Sequence, residues 1–242
     1  MTDAHCHVSG GDPSVREFLI GRDFVGVHPW AALGEERSGR SACMTLDDLR
    51  AQLSANPGLG VGEIGLDRLK EKTISPEMRA LFAAQLALAF EFRRPVVLHG
   101  AKCWGEVVKE VVGFSAENGD LRTETSPKAC SIMPFFLFHG FSRSDGLIPD
   151  IVRLNGYISV GPAVLNDHAV NYRELVKKIP LDRLLVETDR DCQPRELLNP
   201  ITKKPLAIRD VLEKTAELRG LSPAELETVT DENAARFCRC AR

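Results

Sequence analysis

Three observations in this chain of 242 residues predict an α/β fold of the TIM type, a somewhat distorted (β/α) barrel. Short apolar, β-branched runs recur seven times, segments of helical period lie between them, and no run is followed by the Gly-rich turn of a dinucleotide-binding sheet. Such alternation builds a parallel sheet, and without the phosphate-binding turn a closed barrel fits better than an open sheet. The length suits a single barrel over residues 1–242.

The runs, in chain order, are "DAHCHV" (Asp3 to Val8), "DFVGVH" (Asp23 to His28), "LGVGEIGL" (Leu59 to Leu66), "RPVVLH" (Arg94 to His99), "FFLFHG" (Phe135 to Gly140), "GYISVG" (Gly156 to Gly161) and "LLVETD" (Leu184 to Asp189). Each reads as a buried strand. No eighth run is clear, so the barrel is expected to close with a short or irregular last strand. Behind a Ser75 cap and Pro76, "PEMRALFAAQLALAFEF" places Met78, Leu81, Phe82, Ala89 and Phe92 in one helical stripe. "AIRDVLEKTAELRG" does the same with Ile208, Val211, Leu212, Thr215 and Leu218, and stops at Gly220. Ser222, Pro223 and Glu225 then form a capping box for a final helix. The polar segment Gly113 to Pro134 follows a helix and precedes a strand, so it is expected on the bottom face of the barrel as an insertion rather than a lid.

With 31 basic against 34 acidic residues and a formal charge of −3, no global field recruits polyanions, and an anionic substrate must be attracted locally. No segment resembles a signal peptide or a membrane span, which makes a cytoplasmic location the default expectation. The seven cysteines lack the paired spacing of a zinc ribbon or a disulfide framework, and reduced thiols are expected. "CRC" at Cys238 to Cys240 is tighter than Cys-x-x-Cys and is not taken as a site.

Chemistry gathers at the strand ends. In a strand, His5 and His7 share a face with Asp3, and two imidazoles aimed at one point suggest a metal. The partners such a pair needs are Glu63, His99, His139 and Asp189, each at or near the end of its predicted strand. They are separated from His7 onward by 56, 36, 40 and 50 residues, enough for one or two βα units each. All strand C-termini of a parallel barrel open on one face, so these six residues should converge there. Four imidazoles and two carboxylates suit two divalent ions, drawn from Zn, Mn, Ni, Fe or Mg. Such a pair lowers the pKa of a shared water and clamps a displacement, so the expected reaction is hydrolysis by a metal-activated hydroxide. Glu63 is the expected bridge, and Asp189 the ligand that also orients or deprotonates the water.

The motifs "DAHCHV", "GVHPW", "VGEIGLD", "RPVVLH", "FHGFS", "YISVGP", "LLVETD" and "VTDENAARF", in order from Asp3 to Phe237, resemble those of the TatD family of metal-dependent hydrolases. The resemblance implies a barrel related to the amidohydrolases, one to three divalent ions, and phosphoester hydrolysis, with deoxyribonuclease activity among members. It carries the ligand set onto His5, His7, Glu63, His99, His139 and Asp189. Gly100-Ala101-Lys102, Arg68, Gly140 and Arg190-Asp191 depart from the usual pattern in loops that should touch substrate.

The remaining candidates are substrate contacts and ligand supports. His28 ends the second run and Trp30 follows it, where the ring of Trp30 could stack on a base or pack against its own loop. Lys102 and Arg143 head a basic rim that also draws on Arg37, Arg40, Arg68, Lys70, Lys72, Arg190, Arg195, Lys203 and Lys204, with Glu35, Glu36, Asp145 and Glu196 between them. Asp3 and Glu187 sit two residues before a ligand on the same strand face and could fix an imidazole tautomer. His168 is taken as a surface residue. The expected partner is a phosphoester such as DNA, and no membrane. The alternatives are an amide, lactone or aminoacyl-ester hydrolase on the same barrel, or a non-catalytic binder of nucleic acid or protein.

Overall fold

The structure is a computed structural model, and residues 1–34, 44–117, 134–142, 145–191, 198–199 and 201–238 are described. Parallel strands β1 (Thr2–Cys6), β2 (Arg16–Leu19), β3 (Phe24–Val25), β4 (Gly60–Asp67), β5 (Val96–Ala101), β6 (Phe136–Phe138), β7 (Gly156–Val160) and β8 (Leu184–Val186) follow one another in sequence and in space. β1 pairs with β2, and β3 to β8 form one sheet in chain order. The two sheets meet at both seams. An Ile20–Phe24 bridge joins β2 to β3. Past β8, the Asp189 N–H donates to the His5 carbonyl at 3.0 Å and the His7 N–H to the Arg190 carbonyl at 2.7 Å. The result is the expected TIM-type barrel.

The missing strand is not the last one. The strand without a run in the sequence is β2, second in the chain, and "LLVETD" supplies a three-residue β8. β2 escapes the sequence pattern because only nine residues, and no helix, separate it from β1. The run predicted at Asp23 to His28 shrinks to two ladder residues, after which the chain turns into a 3₁₀ helix at Pro29–Leu33.

Helices α1 (Leu46–Ala55), α2 (Pro76–Glu91), α3 (Trp104–Glu117), α4 (Ile148–Arg153), α5 (Val170–Lys178), α6 (Ile208–Arg219) and α7 (Pro223–Phe237) complete the element order. Ser75 caps α2 by accepting from the Met78 N–H at 3.1 Å, Gly220 ends α6 at φ 66°, and the Ser222–Glu225 box opens α7. α3 runs on through Glu117, so the predicted insertion begins later than Gly113; residues 118–133 lie outside the described residues. No helix among the described residues is long and apolar enough to cross a membrane.

Strand alternation sorts the core into two layers. Val96, Leu98, Phe136, Phe138, Ile158, Leu184 and Val186 face outward to the helices, while Val97, Leu137, Tyr157 and Leu185 fill the barrel together with Phe18, Phe24 and Phe237. Phe237 of α7 stacks on Phe24 with centroids 5.8 Å apart and plugs this inner layer. Two residues further along each strand, on the same inner face, come His99, His139, Ser159 and Glu187. The apolar plug is therefore the floor on which the polar residues stand.

Candidate metal centre

Five of the six histidines gather at this end of the barrel. Glu63 is at their centre. It lies in mid-strand rather than at the end of its run, because β4 continues to Asp67, and its carboxylate is buried. Its Oε1 is 2.6 Å from His99 Nδ1 and 2.6 Å from His139 Nε2, and its Oε2 is 3.5 Å from His7 Nε2. His5 stacks on His139 with centroids 3.9 Å apart, and its Nε2 is 3.5 Å from Asp189 Oδ1.

All six residues expected to bind metal fall into three overlapping groups whose ligand atoms lie within 4.8 Å of one another: His5, His7 and Glu63; His5, His139 and Asp189; Glu63, His99 and His139. The donor set fits divalent ions on a second ground. His5 is fully buried, yet among the described residues neither of its ring nitrogens has a hydrogen-bond partner, and the buried atoms His139 Nδ1 and Asp189 Oδ1 have none there either. A buried imidazole left without partners costs about 1–3 kcal/mol. Coordination removes that cost.

Electrostatics bind the cluster further. Burial pushes the Glu63 carboxyl up, but His139 and His99 outweigh it and hold the group well below the usual carboxylate range. Burial likewise opposes charge on His139, which Glu63 and Glu187 nevertheless keep well above the ordinary imidazole value. Asp189, also pushed up by burial, is brought below its ordinary value chiefly by His5. It is the open member of the cluster, 41% exposed at the rim.

The supporting carboxylates act on backbone as much as on rings. Asp3 does not reach an imidazole: its Oδ1 accepts from the Thr188 N–H at 2.9 Å and its Oδ2 from the Thr188 hydroxyl at 2.6 Å, anchoring the turn that presents Asp189. Burial raises its carboxyl to about 7. Glu187 accepts from the Gly140 N–H at 2.7 Å and from the Ser159 hydroxyl, and stands 3.9 Å from His139 Nδ1. The carboxylate that sequence reasoning missed is Asp67. Its Oδ2 is 2.8 Å from His99 Nε2, and it forms a further close group with His28 and His99. The signal was available, because Asp67 lies four residues after Glu63 in the same strand and so on the same face.

His28 joins the cluster edge, with its ring centroid 4.8 Å from that of His99 and its Nδ1 accepting from the Trp30 N–H at 3.3 Å. Trp30 packs edge-on to His28, and Lys70 Nζ sits 4.1 Å from its ring centroid. Lys102 is exposed just past β5 at φ 57°. Arg68 is bonded to the Lys72 carbonyl and paired with Glu106, and Arg190 reaches the Leu206 carbonyl, with Glu17 at 3.6 Å, so part of the expected basic rim is tied back onto the protein. Arg37, Arg40, Arg143 and Arg195, with Glu35, Glu36 and Glu196, lie outside the described residues, as does Cys240.

Comparison with known proteins agrees with this geometry. The profile of the TatD related DNase family matches residues 21–239. The metal-dependent hydrolase YabD of Bacillus subtilis is 30% identical over 89% of this chain and 76% of its own. The 3'-5' ssDNA/RNA exonuclease TatD of Cronobacter sakazakii is 28% identical over 88% of this chain and 75% of its own. Among solved structures, the TatD homologue YJJV of Escherichia coli K12 superposes with a TM-score of 0.73 at 22% identity, covering 98% of this chain and 96% of that one. A barrel whose described end carries this cluster, and whose sequence matches the family from its third strand to its last helix, belongs to the TatD family of metal-dependent hydrolases.

Proposed function

We propose that the protein is a phosphodiesterase that cleaves DNA or a related phosphodiester at a two-metal site. The observation that carries this reading is the position of Glu63, whose one oxygen faces His99 and His139 while the other faces His7, as a carboxylate shared between two ions would. Divalent ions held by His5, His7, Glu63, His99, His139 and Asp189 supply charge neutralisation at the phosphoryl oxygens and a lowered pKa for the attacking water. Asp189, ionised and open at the rim, would orient that water and take its proton as the oxygen attacks phosphorus, while the P–O bond to the leaving group breaks and the departing oxygen takes up a proton. Glu63 holds the two halves of the ligand set in register, and Asp3 and Glu187 fix the backbone on either side. The named exonuclease activity of the Cronobacter sakazakii relative supports a polynucleotide substrate.

The test is hydrolysis of bis-p-nitrophenyl phosphate and of labelled single-stranded DNA by chelated protein, then by protein reloaded with Zn, Mn or Mg, with Glu63→Ala alongside. Cleavage should return with metal and be absent from the variant. Metal binding without cleavage of either ester rejects the phosphodiesterase reading and favours attack on a carbonyl instead.

A further inference from the structure

Beyond Asp189 and Glu187 the cluster opens into a cleft of about 880 Å³ that runs along α5 from Val170 to Lys178. That volume is in the range of small-molecule sites and far larger than one phosphate requires. Gly140, Gly161, Pro162 and Ala163 line one stretch of it and Tyr172 and Leu175 another, and a Cβ on Gly161 would stand 3.3 Å from Glu187 Oε1. Val170, 60% exposed, lines the same cleft. It is not an isolated case. The five large apolar side chains most exposed among the described residues, Val8, Leu69, Val170, Leu198 and Ile201, all follow the C-terminal ends of strands, on the face that carries the cluster. A chain that buries its apolar residues elsewhere leaves them out where substrate arrives.

Charge narrows the occupant. Lys178 in this cleft is bonded to Asp145, and Glu174 beside it is acidic, so the described lining away from the metal ligands leaves no cation unpaired for a second phosphate. The Ser142, His168 and Asn171 side chains offer hydrogen-bonding edges. An apolar slot with polar edges and no spare cation among its described residues suits an uncharged, flat, heteroatom-rimmed group.

We infer that this cleft holds the nucleoside attached to the phosphoryl group under attack, with its base between Ala163 and Val170. The inference rests on the phosphodiesterase reading, and it gives His168 a place beside substrate rather than on an idle surface.

The experiment compares thymidine 5'-(p-nitrophenyl phosphate) with methyl p-nitrophenyl phosphate, which share the leaving group and differ only in the nucleoside. The proteins are the metal-loaded wild type, Ala163→Phe and Val170→Asp, both changes falling at exposed positions. Thymidine is titrated calorimetrically into the same proteins. The wild type should favour the nucleoside ester at least tenfold in kcat/KM, each variant should reduce that ratio at least tenfold, and Ala163→Phe should weaken thymidine binding to match. A wild type that does not discriminate, or a ratio unchanged in both variants, overturns the subsite. If neither ester is cleaved, the phosphodiesterase reading falls by itself. Thymidine binding weakened by Ala163→Phe then keeps the subsite, and no thymidine binding removes it.

Discussion

Asp67 Oδ2 stands 2.8 Å from His99 Nε2, on the edge of the ring opposite the nitrogen that faces Glu63. If Nε2–H donates to Asp67, the lone pair of Nδ1 is left pointing into the cluster, which is the tautomer a ligand needs. Asp67→Asn, which exchanges an oxygen for an amide nitrogen, should lower affinity for Zn or Mn by about 10–100-fold. Competition with a fluorescent chelator measures it, and an affinity within twofold of wild type removes the orienting role.

Proton release should accompany metal binding. In the metal-free protein, burial opposes the His139 proton but Glu63 and Glu187 hold it well above the ordinary 6.5, whereas Glu63 stays well below its ordinary 4.5. The His139 contribution to stability is therefore full below about 6.5 and fades as pH rises through the raised value, while the Glu63 contribution is full above about 4.5 and is lost on strong acidification. A metal entering at pH 7 must displace the His139 proton. Calorimetric titrations in buffers of different ionisation enthalpy should show about one proton released at pH 7, with affinity still rising at higher pH. Binding without proton release contradicts this electrostatic picture.

Gly65 should tolerate no side chain. It pairs with His99 across β4 and β5 at φ 149°, and a Cβ there would lie 2.0 Å from the His99 carbonyl oxygen. Gly65→Ala should cost about 3 kcal/mol or more and lower the melting temperature by roughly 6–12 °C. A melting temperature within 2 °C of wild type, measured by calorimetry, would mean that the two strands separate at little cost.

Arg190 should act as a clamp behind the ligands. Its carbonyl accepts from the His7 and Val8 N–H groups, and its guanidinium donates to the Leu206 carbonyl at 3.2 Å and lies 3.6 Å from Glu17. Glu17 in turn accepts from the Ser9 hydroxyl and the Gly10 N–H, and a Cβ at position 10 would fall 2.3 Å from Arg190 Nη1 and make the guanidinium shift. Arg190→Ala should destabilise by about 1–3 kcal/mol in urea unfolding and weaken metal binding. Unchanged stability would show the guanidinium to be idle. This network occupies one of the positions where the chain departs from the usual family pattern.

The barrel was legible because seven of its strands are short buried runs and those from β3 onward are separated by helices, the pattern that periodicity detects. β2 was not, because four residues reached through an irregular connection carry no such pattern. The ligand set was legible from residue type and strand position together. Asp67 was passed over because an Asp after Gly-Leu reads equally well as the start of a loop, and its role depends on the depth of Glu63 in β4, which no spacing rule states. The preference of Asp3 for Thr188 over an imidazole is equally a matter of tertiary contact, set where the last strand meets the first.

That meeting has a consequence for how the molecule comes together. His5 and Asp189 are 184 residues apart, yet the Asp189 N–H bonds to the His5 carbonyl across the seam. A nascent chain on the ribosome holds only part of the ligand set until its eighth strand has emerged, and contacts of such long sequence separation form slowly. Ions that bind only the finished ring then act as a latch, adding about 2.7 kcal/mol at a free concentration one hundred times their Kd. Refolding with a chelator present should accordingly leave the first and last strands the most exchangeable part of the backbone.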